Sequence, residues 1–536
     1  MPLHLLWLAA FAPLALVALG LTPRPFADRH PRLLINLARL AALACLGAAV
    51  LCAIAVFAVG AARTGTVGPW GIGFGAYIDS LSAMVFALVA FIGLVVVAYS
   101  AHYLDGDPRQ GQFMTDLCLT LGSVLLVIVA GNLFQLLLAW IVTSLGLNRL
   151  LLFYADRQAA VLAARKKFLV SRVGDLCLIV AMILIYQTVG SLDYASLFSA
   201  AQSWGAISST PPTVQSAALL LAVAGLLKSA QFPIHGWLLE VMETPTPVSA
   251  LLHAGIINAG GFLVLRFSPL VSGAPHALET LAIVGGITAI FGSAVMLTQT
   301  SIKVALAYST IAQMGFMMLE CGLGAYDAAA LHLLAHSLYK AHAFLSSGSI
   351  IDLARSSWTP SPGGQPHPAR LAIAIIVVLL ATWIVGCLFG ATMAATPGVL
   401  ALGAVVLMGL AHLVASSIDE RPSPYVIGRA VALAGSVATI YFVLQSAVEH
   451  VLAGALPTST TAHGAFDQVI GVAVVLSFGG LTVFQNLLQF QTPEPRWQAL
   501  YAHLSNGLYV NTLANRWILR WWPAPVRPDA VKGAMQ

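Results

Sequence analysis

The stretch "LLKSAQFPIHGWLLEVMETPTPVSALLHAG", residues 226–255, decides the fold. It places Lys228 at the end of the apolar run "SAALLLAVAGLLK" and Pro233 five residues later, then turns through Glu243, Pro245 and Pro247 into a second apolar run that carries His253. A proline inside a helix removes a backbone donor and breaks or bends the helix at that point. In a bilayer the carbonyls freed by such a break need water or polar side chains as partners, and Ser229, Gln231 and His235 stand where they are needed. The stretch predicts a membrane helix interrupted beside a lysine.

The rest of the chain has the composition this reading requires. Of 536 residues, 59% are hydrophobic and only 8% are charged, where water-soluble domains carry about a quarter charged residues. A helix needs about 20 apolar residues to cross a bilayer, and the hydropathy pattern predicts an all-α polytopic membrane protein of about 13–15 such spans. They fall near residues 3–20, 33–62, 79–99, 113–129, 132–154, 167–187, 213–244, 247–267, 277–298, 304–323, 327–352, 369–391, 396–415, 425–447 and 466–489. The first lacks the basic start and cleavage site of a signal peptide and reads as a helix. Lys and Arg gather on alternate connections (Arg24, Arg29 and Arg32; Arg149 to Lys167; Lys303; Arg355 and Arg370; Arg421 and Arg429). By the positive-inside rule this predicts an outside N-terminus and a cytoplasmic C-terminus.

Several function classes are excluded or reduced. The net charge of +5 comes from these loops, and no basic cluster is interleaved with aromatics, so nucleic acid is not expected. The chain has no phosphate-cradling GxxxxGK[ST] loop, dinucleotide fingerprint or iron–sulfur spacing, and no cofactor is expected in it. The six cysteines are scattered singly and read as small packing residues.

What remains is transport, and the ionisable residues inside the spans carry that reading. Such groups cost about 3 kcal/mol at a helix centre on insertion scales and usually mark ion pathways. The segment "AALHLLAHSLYKAHAFLSSGS" spaces His332, His336 and Lys340 four residues apart, which places them on one helix face, with His342 off it. Imidazole accepts a proton on one ring nitrogen and releases one from the other near neutral pH. Arg172 and Asp175, at i and i+3, can pair at a helix entrance. A single buried histidine is most often a packing residue, and Lys303 at a helix end can snorkel to the interface. Four titratable groups at membrane depth, Lys228, His332, His336 and Lys340, exceed what packing requires.

These residues sit in text that resembles the antiporter-like subunits of respiratory complex I, the large L subunit above all, and the related Mrp antiporters. The matching segments are "YIDSLSAMVFALV", "YSAHYLDGDP", "KKFLVSRVGD", the opening stretch, "SIKVALAYSTIAQMG" and "AALHLLAHSLYKAHAFLSSGSII", in family order between residues 75 and 352. The resemblance implies two inverted five-helix repeats, about 111–270 and 275–415, each with a broken helix. Helices 1–110 would precede them, helices 416–490 follow, and a cytoplasmic amphipathic tail, 491–536, would close the chain. It also implies a proton path through Lys228, His253, His332, His336 and Lys340, supported by Arg172, Asp175, His235, Glu243 and His412.

Two departures from the family pattern stand out. Ile141 follows Trp140 where the family has a Trp-Glu pair whose acid faces the first lysine. The second broken helix, "VVLLATWIVGCLFGATMAATPGVLALG", carries no charge, leaving His412 on the next helix as the nearby titratable group. The chain also stops without the family's long lateral helix. With "METPTPVSALLHAGIINAGGFLVLR" and "NGLYVNTLANRW", these features resemble the DabB-like membrane subunits of two-component inorganic carbon pumps. That resemblance implies a bacterial inner-membrane transporter subunit rather than an enzyme, working with a soluble cytoplasmic DabA-like subunit that holds zinc in a carbonic-anhydrase-like site. A proton-pumping subunit of a complex I-like or hydrogenase-like redox assembly is the alternative.

Overall fold

The computed structural model describes residues 3–68, 73–206, 210–241, 244–347, 384, 424–457, 465–488 and 494–523. Glu243, Cys387 and His412 lie outside them, as do the expected spans near 369–391 and 396–415 apart from residue 384.

The helices in chain order are α1 (Leu3–Gly20), α2 (Arg24–Arg29), α3 (Pro31–Val59), α4 (Ser80–Tyr103), α5 (Gln110–Val129), α6 (Leu133–Leu151), α7 (Gln158–Val189), α8 (Tyr194–Ala206) and α9 (Pro212–Lys228). They continue with α10 (Gly236–Glu240), α11 (Thr246–Leu251), a π-helical turn (Leu252–Ile256), α12 (Ala259–Arg266), α13 (Ser268–Val271), α14 (Pro275–Met296), α15 (Ile302–Gly322) and α16 (Tyr326–Leu345). Last come α17 (Pro424–Leu452), α18 (Ala465–Leu488), α19 (Pro495–Ser505) and α20 (Val510–Trp521). Among the described residues, nine helical segments are long and apolar enough to cross a membrane. The strands are two residues each, β1 (Ala62–Arg63) and β2 (Tyr77–Ile78), paired antiparallel.

Bilayer exposure shows in where the apolar side chains point. Along α7, Leu169, Val173, Leu176, Val180 and Ile183 are exposed at steps of three and four, an apolar stripe that in water would be a liability and in lipid is the outer surface. At the centre lies α5, buried almost from end to end, with α1, α3, α4 and α6 packed on it. Close packing between spans depends on small residues: a Cβ built on Gly285 of α14 would stand 2.6 Å from the Gly315 carbonyl of α15, and one on Gly315 would stand 2.7 Å from the Gly285 carbonyl.

The two ends of the bundle differ. One carries the β hairpin and α8, joined by the Arg63–Asp193 ion pair at 3.2 Å. Just inside this end Asp79 caps α4, exchanging hydrogen bonds with Ser82, and receives both Arg266 Nη1 (2.6 Å) and Nη2 (3.0 Å). The other end carries α19 and α20, folded back onto the chain's own loops.

The structure refines the sequence reading at its most informative stretch. The span expected over 213–244 ends as a helix at Lys228, where Ala230 takes a positive φ of 50°, and resumes as the short α10. The span expected over 247–267 is α11 and α12 separated by the π turn that holds His253; such turns often accompany functional sites. The non-spanning helix α8 was not anticipated.

Candidate proton path

The first cluster forms around Lys228. Ending α9 where the helix breaks, the lysine is buried, with Nζ donating to Ser144 Oγ at 3.1 Å and standing 4.2 Å from the centre of the Trp140 ring. Trp140 and Ser144 are one turn apart on α6, so a single helix face supplies both the π-face and the hydroxyl. A desolvated cation over an indole gains about 2 kcal/mol. Ile141, the residue in place of the expected acid, packs against the apolar core. The carboxylate within electrostatic reach of Lys228 comes instead from α7: it is Asp175, paired with Arg172 at 2.7 Å. Lys167, also on α7 and within reach of Lys228, donates to Ser171 Oγ and lies 5.3 Å from the Trp237 ring centre.

A second cluster runs along α16. Nδ1 of His332 lies 3.1 Å from Glu320 Oε2 on α15, and the His332 and His336 ring centres are 6.4 Å apart. One turn on, Lys340 is buried and donates to Ser309 Oγ at 2.8 Å and to the Leu306 carbonyl at 3.3 Å. His253, in the π turn, stacks on Phe344 with ring centres 4.3 Å apart. The i, i+4 ladder expected from the sequence therefore exists, and His253 joins it from a neighbouring element.

Polar side chains at the helix break lie between the two clusters. Ser229, next to Lys228, donates to the Ile257 carbonyl at 2.9 Å. Asn258, one residue on, donates to Ser337 Oγ at 2.6 Å, and Ser337 sits between His336 and Lys340 on α16. Gln231 donates to the Ser229 carbonyl at 3.0 Å. Among the described residues, His253 and His336 have no hydrogen-bond partner for either ring nitrogen; buried polar atoms of this kind are where ordered water is retained.

Of the supporting residues, Arg172 and Asp175 join the Lys228 cluster. His235 is buried off the line, among Phe232, Phe291 and Tyr308. Sequence reasoning missed Glu320, a charge in the apolar run "MGFMMLECGLG" that the rule applied to the lysines would have found, and also Ser144, Asn258 and Ser337, whose short polar side chains give no signal alone. It also missed the pair Lys166–Glu240, 2.7 Å apart. Among the described residues no three His, Cys, Asp or Glu side chains are gathered as a metal site needs.

Known proteins resemble the chain in sequence and in fold. Residues 130–362 match the family model of the transmembrane part of NADH:quinone oxidoreductase and Mrp antiporters, and residues 66–114 match that of the N-terminus of complex I chain 5. A probable inorganic carbon transporter subunit DabB2 of Halothiobacillus neapolitanus is 38% identical over 455 residues, which cover 84% of this chain and 81% of that one. The NAD(P)H-quinone oxidoreductase chain 5 of Synechocystis is also 38% identical, over 53% of this chain and 42% of its own. In structure, the Mrp complex from Dietzia is similar with a TM-score of 0.64 and 24% identity, covering 96% of this chain and 59% of that one, a likeness of fold.

Proposed function

The chain belongs to the family of antiporter-like membrane subunits that includes the DabB inorganic carbon transporter subunits and chains of complex I and Mrp, and on that premise we propose that it conducts protons for an energy-coupled inorganic carbon uptake complex. One observation carries the reading: two lysine-centred clusters, around Lys228 and Lys340, have the buried polar side chains of Ser229, Asn258 and Ser337 between them at the break between α9 and α12. Lysine and imidazole nitrogens bind protons and offer few of the oxygen ligands that hard cations take. Lys228 and Lys340 exchange protons with waters held at the unpartnered histidine nitrogens, and the Asp175–Arg172 pair modulates the charge on Lys228.

The energy is the membrane potential, about 2.3 kcal/mol per charge per 100 mV. A few such charges suffice to make a near-equilibrium hydration of carbon dioxide to bicarbonate run one way. The hydration belongs to a soluble zinc subunit at the end of the bundle that carries α19 and α20. This end is cytoplasmic by the loop charges, in a bacterial inner membrane with the N-terminus outside. Coverage favours this reading over a redox assembly, since the chain matches most of the length of the DabB2 relative and less than half of the quinone oxidoreductase chain.

The test is growth in air of a carbonic-anhydrase-deficient strain expressing the chain with its soluble partner. Wild type is expected to restore growth, and Lys228→Ala and Lys340→Ala to abolish it at normal membrane levels. Full activity in both variants, or co-purification with iron–sulfur subunits instead of a zinc protein, would overturn the proposal.

A further inference from the structure

Resting on the proton-conducting reading, we infer that the Glu320–His332 pair is the proton-loading site of the α16 line, reached from the end of the bundle that carries the β hairpin and α8. Glu320 stands near the end of α15, where a Cβ on Gly322 would meet the Leu278 carbonyl of α14 at 2.8 Å, and α14 begins beside α13, which packs on α8. From there the titratable groups run inward along α16 in the order His332, His336, Lys340. Lys340 is anchored on Leu306 and Ser309, toward the opposite end of α15. The line therefore has a direction, and Glu320 is at its head.

The pair lies on a cleft wall and at the head of the α16 line. Glu320 and His332 line a cleft shared with Gln313 and Tyr441. Glu320 is 2% exposed; its Oε2 is taken by His332, while its Oε1 and His332 Nε2 have no hydrogen-bond partner among the described residues. A buried carboxylate oxygen left unpaired at a cleft wall is costly unless something occupies it in turn, and a proton delivered by cleft water does so. The groups facing the pair are Tyr441 of α17, within electrostatic reach of both Glu320 and Asp327; Asp327, which accepts from Gln445 at 3.4 Å; and His336.

Per cycle one proton is gained and one lost. With His332 neutral the pair carries a charge of −1. A proton from cleft water forms an N–H bond at His332 Nε2 as the water's O–H bond breaks, and the Nδ1 proton shifts to Glu320 Oε2, leaving a neutral pair with a protonated carboxyl. The N–H at Nε2 then breaks as that proton passes to His336, whose ring centre is 6.4 Å away, and the Oε2 proton returns to Nδ1. A merely structural pair would hold α15 to α16 and take up no proton.

The experiment places the full-length chain in lipid vesicles, imposes a potassium diffusion potential and records proton influx with an enclosed pH dye. Lys340→Ala serves as the control for the underlying reading. Glu320→Gln, which keeps the volume and a hydrogen bond to His332, is expected to lower influx at least tenfold, and Glu320→Asp to keep a substantial part of it. Infrared difference spectra on acidification are expected to show a protonated-carboxylic-acid band in wild type that Glu320→Gln lacks. If Glu320→Gln conducts like wild type while Lys340→Ala does not, or if the band survives in Glu320→Gln, the inference is overturned and the path stands. Should Glu320→Gln fail to insert, Glu320→Asp and His332→Gln decide by the same two readouts, unchanged flux and an unchanged band being the overturning result. Wild-type influx no greater than that of empty vesicles removes the path and the loading site together.

Discussion

At the scale of one residue, Ser144 shows a buried lysine held by a hydroxyl. With Ile141 where the family has an acid, the fixed partners of Lys228 are a hydroxyl at 3.1 Å and an indole face at 4.2 Å, while the balancing carboxylate, Asp175, sits on another helix. Ser144→Ala removes a single hydrogen bond, worth about 1 kcal/mol, and is expected to slow uptake several-fold without stopping it; a complete loss, or none, in a transport assay would show that the hydroxyl is not the local partner. The Asp79–Arg266 pair is of another kind, a two-pronged buried ion pair that ties the start of α4 to the end of α12. Breaking one side of such a pair costs about 3–5 kcal/mol. Arg266→Met should therefore lower the thermal midpoint of the detergent-solubilised protein markedly, and Asp79→Asn combined with Arg266→Met should recover part of the loss.

Among the elements, α14 and α15 are held by backbone approach rather than by interlocking side chains. A Cβ at Gly285 has nowhere to go, with the Leu319 nitrogen at 2.5 Å and the Gly315 carbonyl at 2.6 Å, whereas nothing lies within 4 Å of one at Gly47 on α3. Gly285→Val should yield aggregated or poorly inserted protein by fluorescence size-exclusion chromatography, and Gly47→Val a normal peak. The second instructive element is α20. Its inner face binds the chain itself: Asn511 accepts from Lys166 at 2.6 Å, and Asn511 and Asn515 donate to Glu240 at 3.2 and 2.7 Å, while Arg165 donates to the Trp522 carbonyl at 2.6 Å. Its outer face leaves Leu513, Trp517 and Trp521 exposed. Truncation after residue 490 is expected to leave insertion intact and abolish pull-down of the proposed soluble partner; retained binding would confine α20 to the membrane surface.

At the scale of the whole molecule, the proposed proton path draws on side chains from α6, α7, α9, the π turn, α12, α15 and α16, and no single helix contains it. With no nucleotide-binding loop in the chain, a protonophore should halt carbon uptake in intact cells whose ATP is kept high, measured as labelled bicarbonate accumulation. Continued uptake would point to another energy source.

The sequence by itself determined the membrane class, most span positions, the break after Lys228 and the ladder His332–His336–Lys340, because hydropathy, proline chemistry and helical spacing are local properties. It did not reveal that His253 stacks on Phe344, that Asp175 is the carboxylate nearest in effect to Lys228, or that Glu320 pairs with His332 twelve positions away. Nor did it show that the tail closes over Lys166 and Glu240. These are contacts between residues on different helices, set by how the spans pack and where glycines let backbones meet, and a hydroxyl or amide that completes such a site has no periodicity to announce it. Only the tertiary structure decided which buried polar groups cluster together, because burial makes them costly alone and packing alone determines their partners.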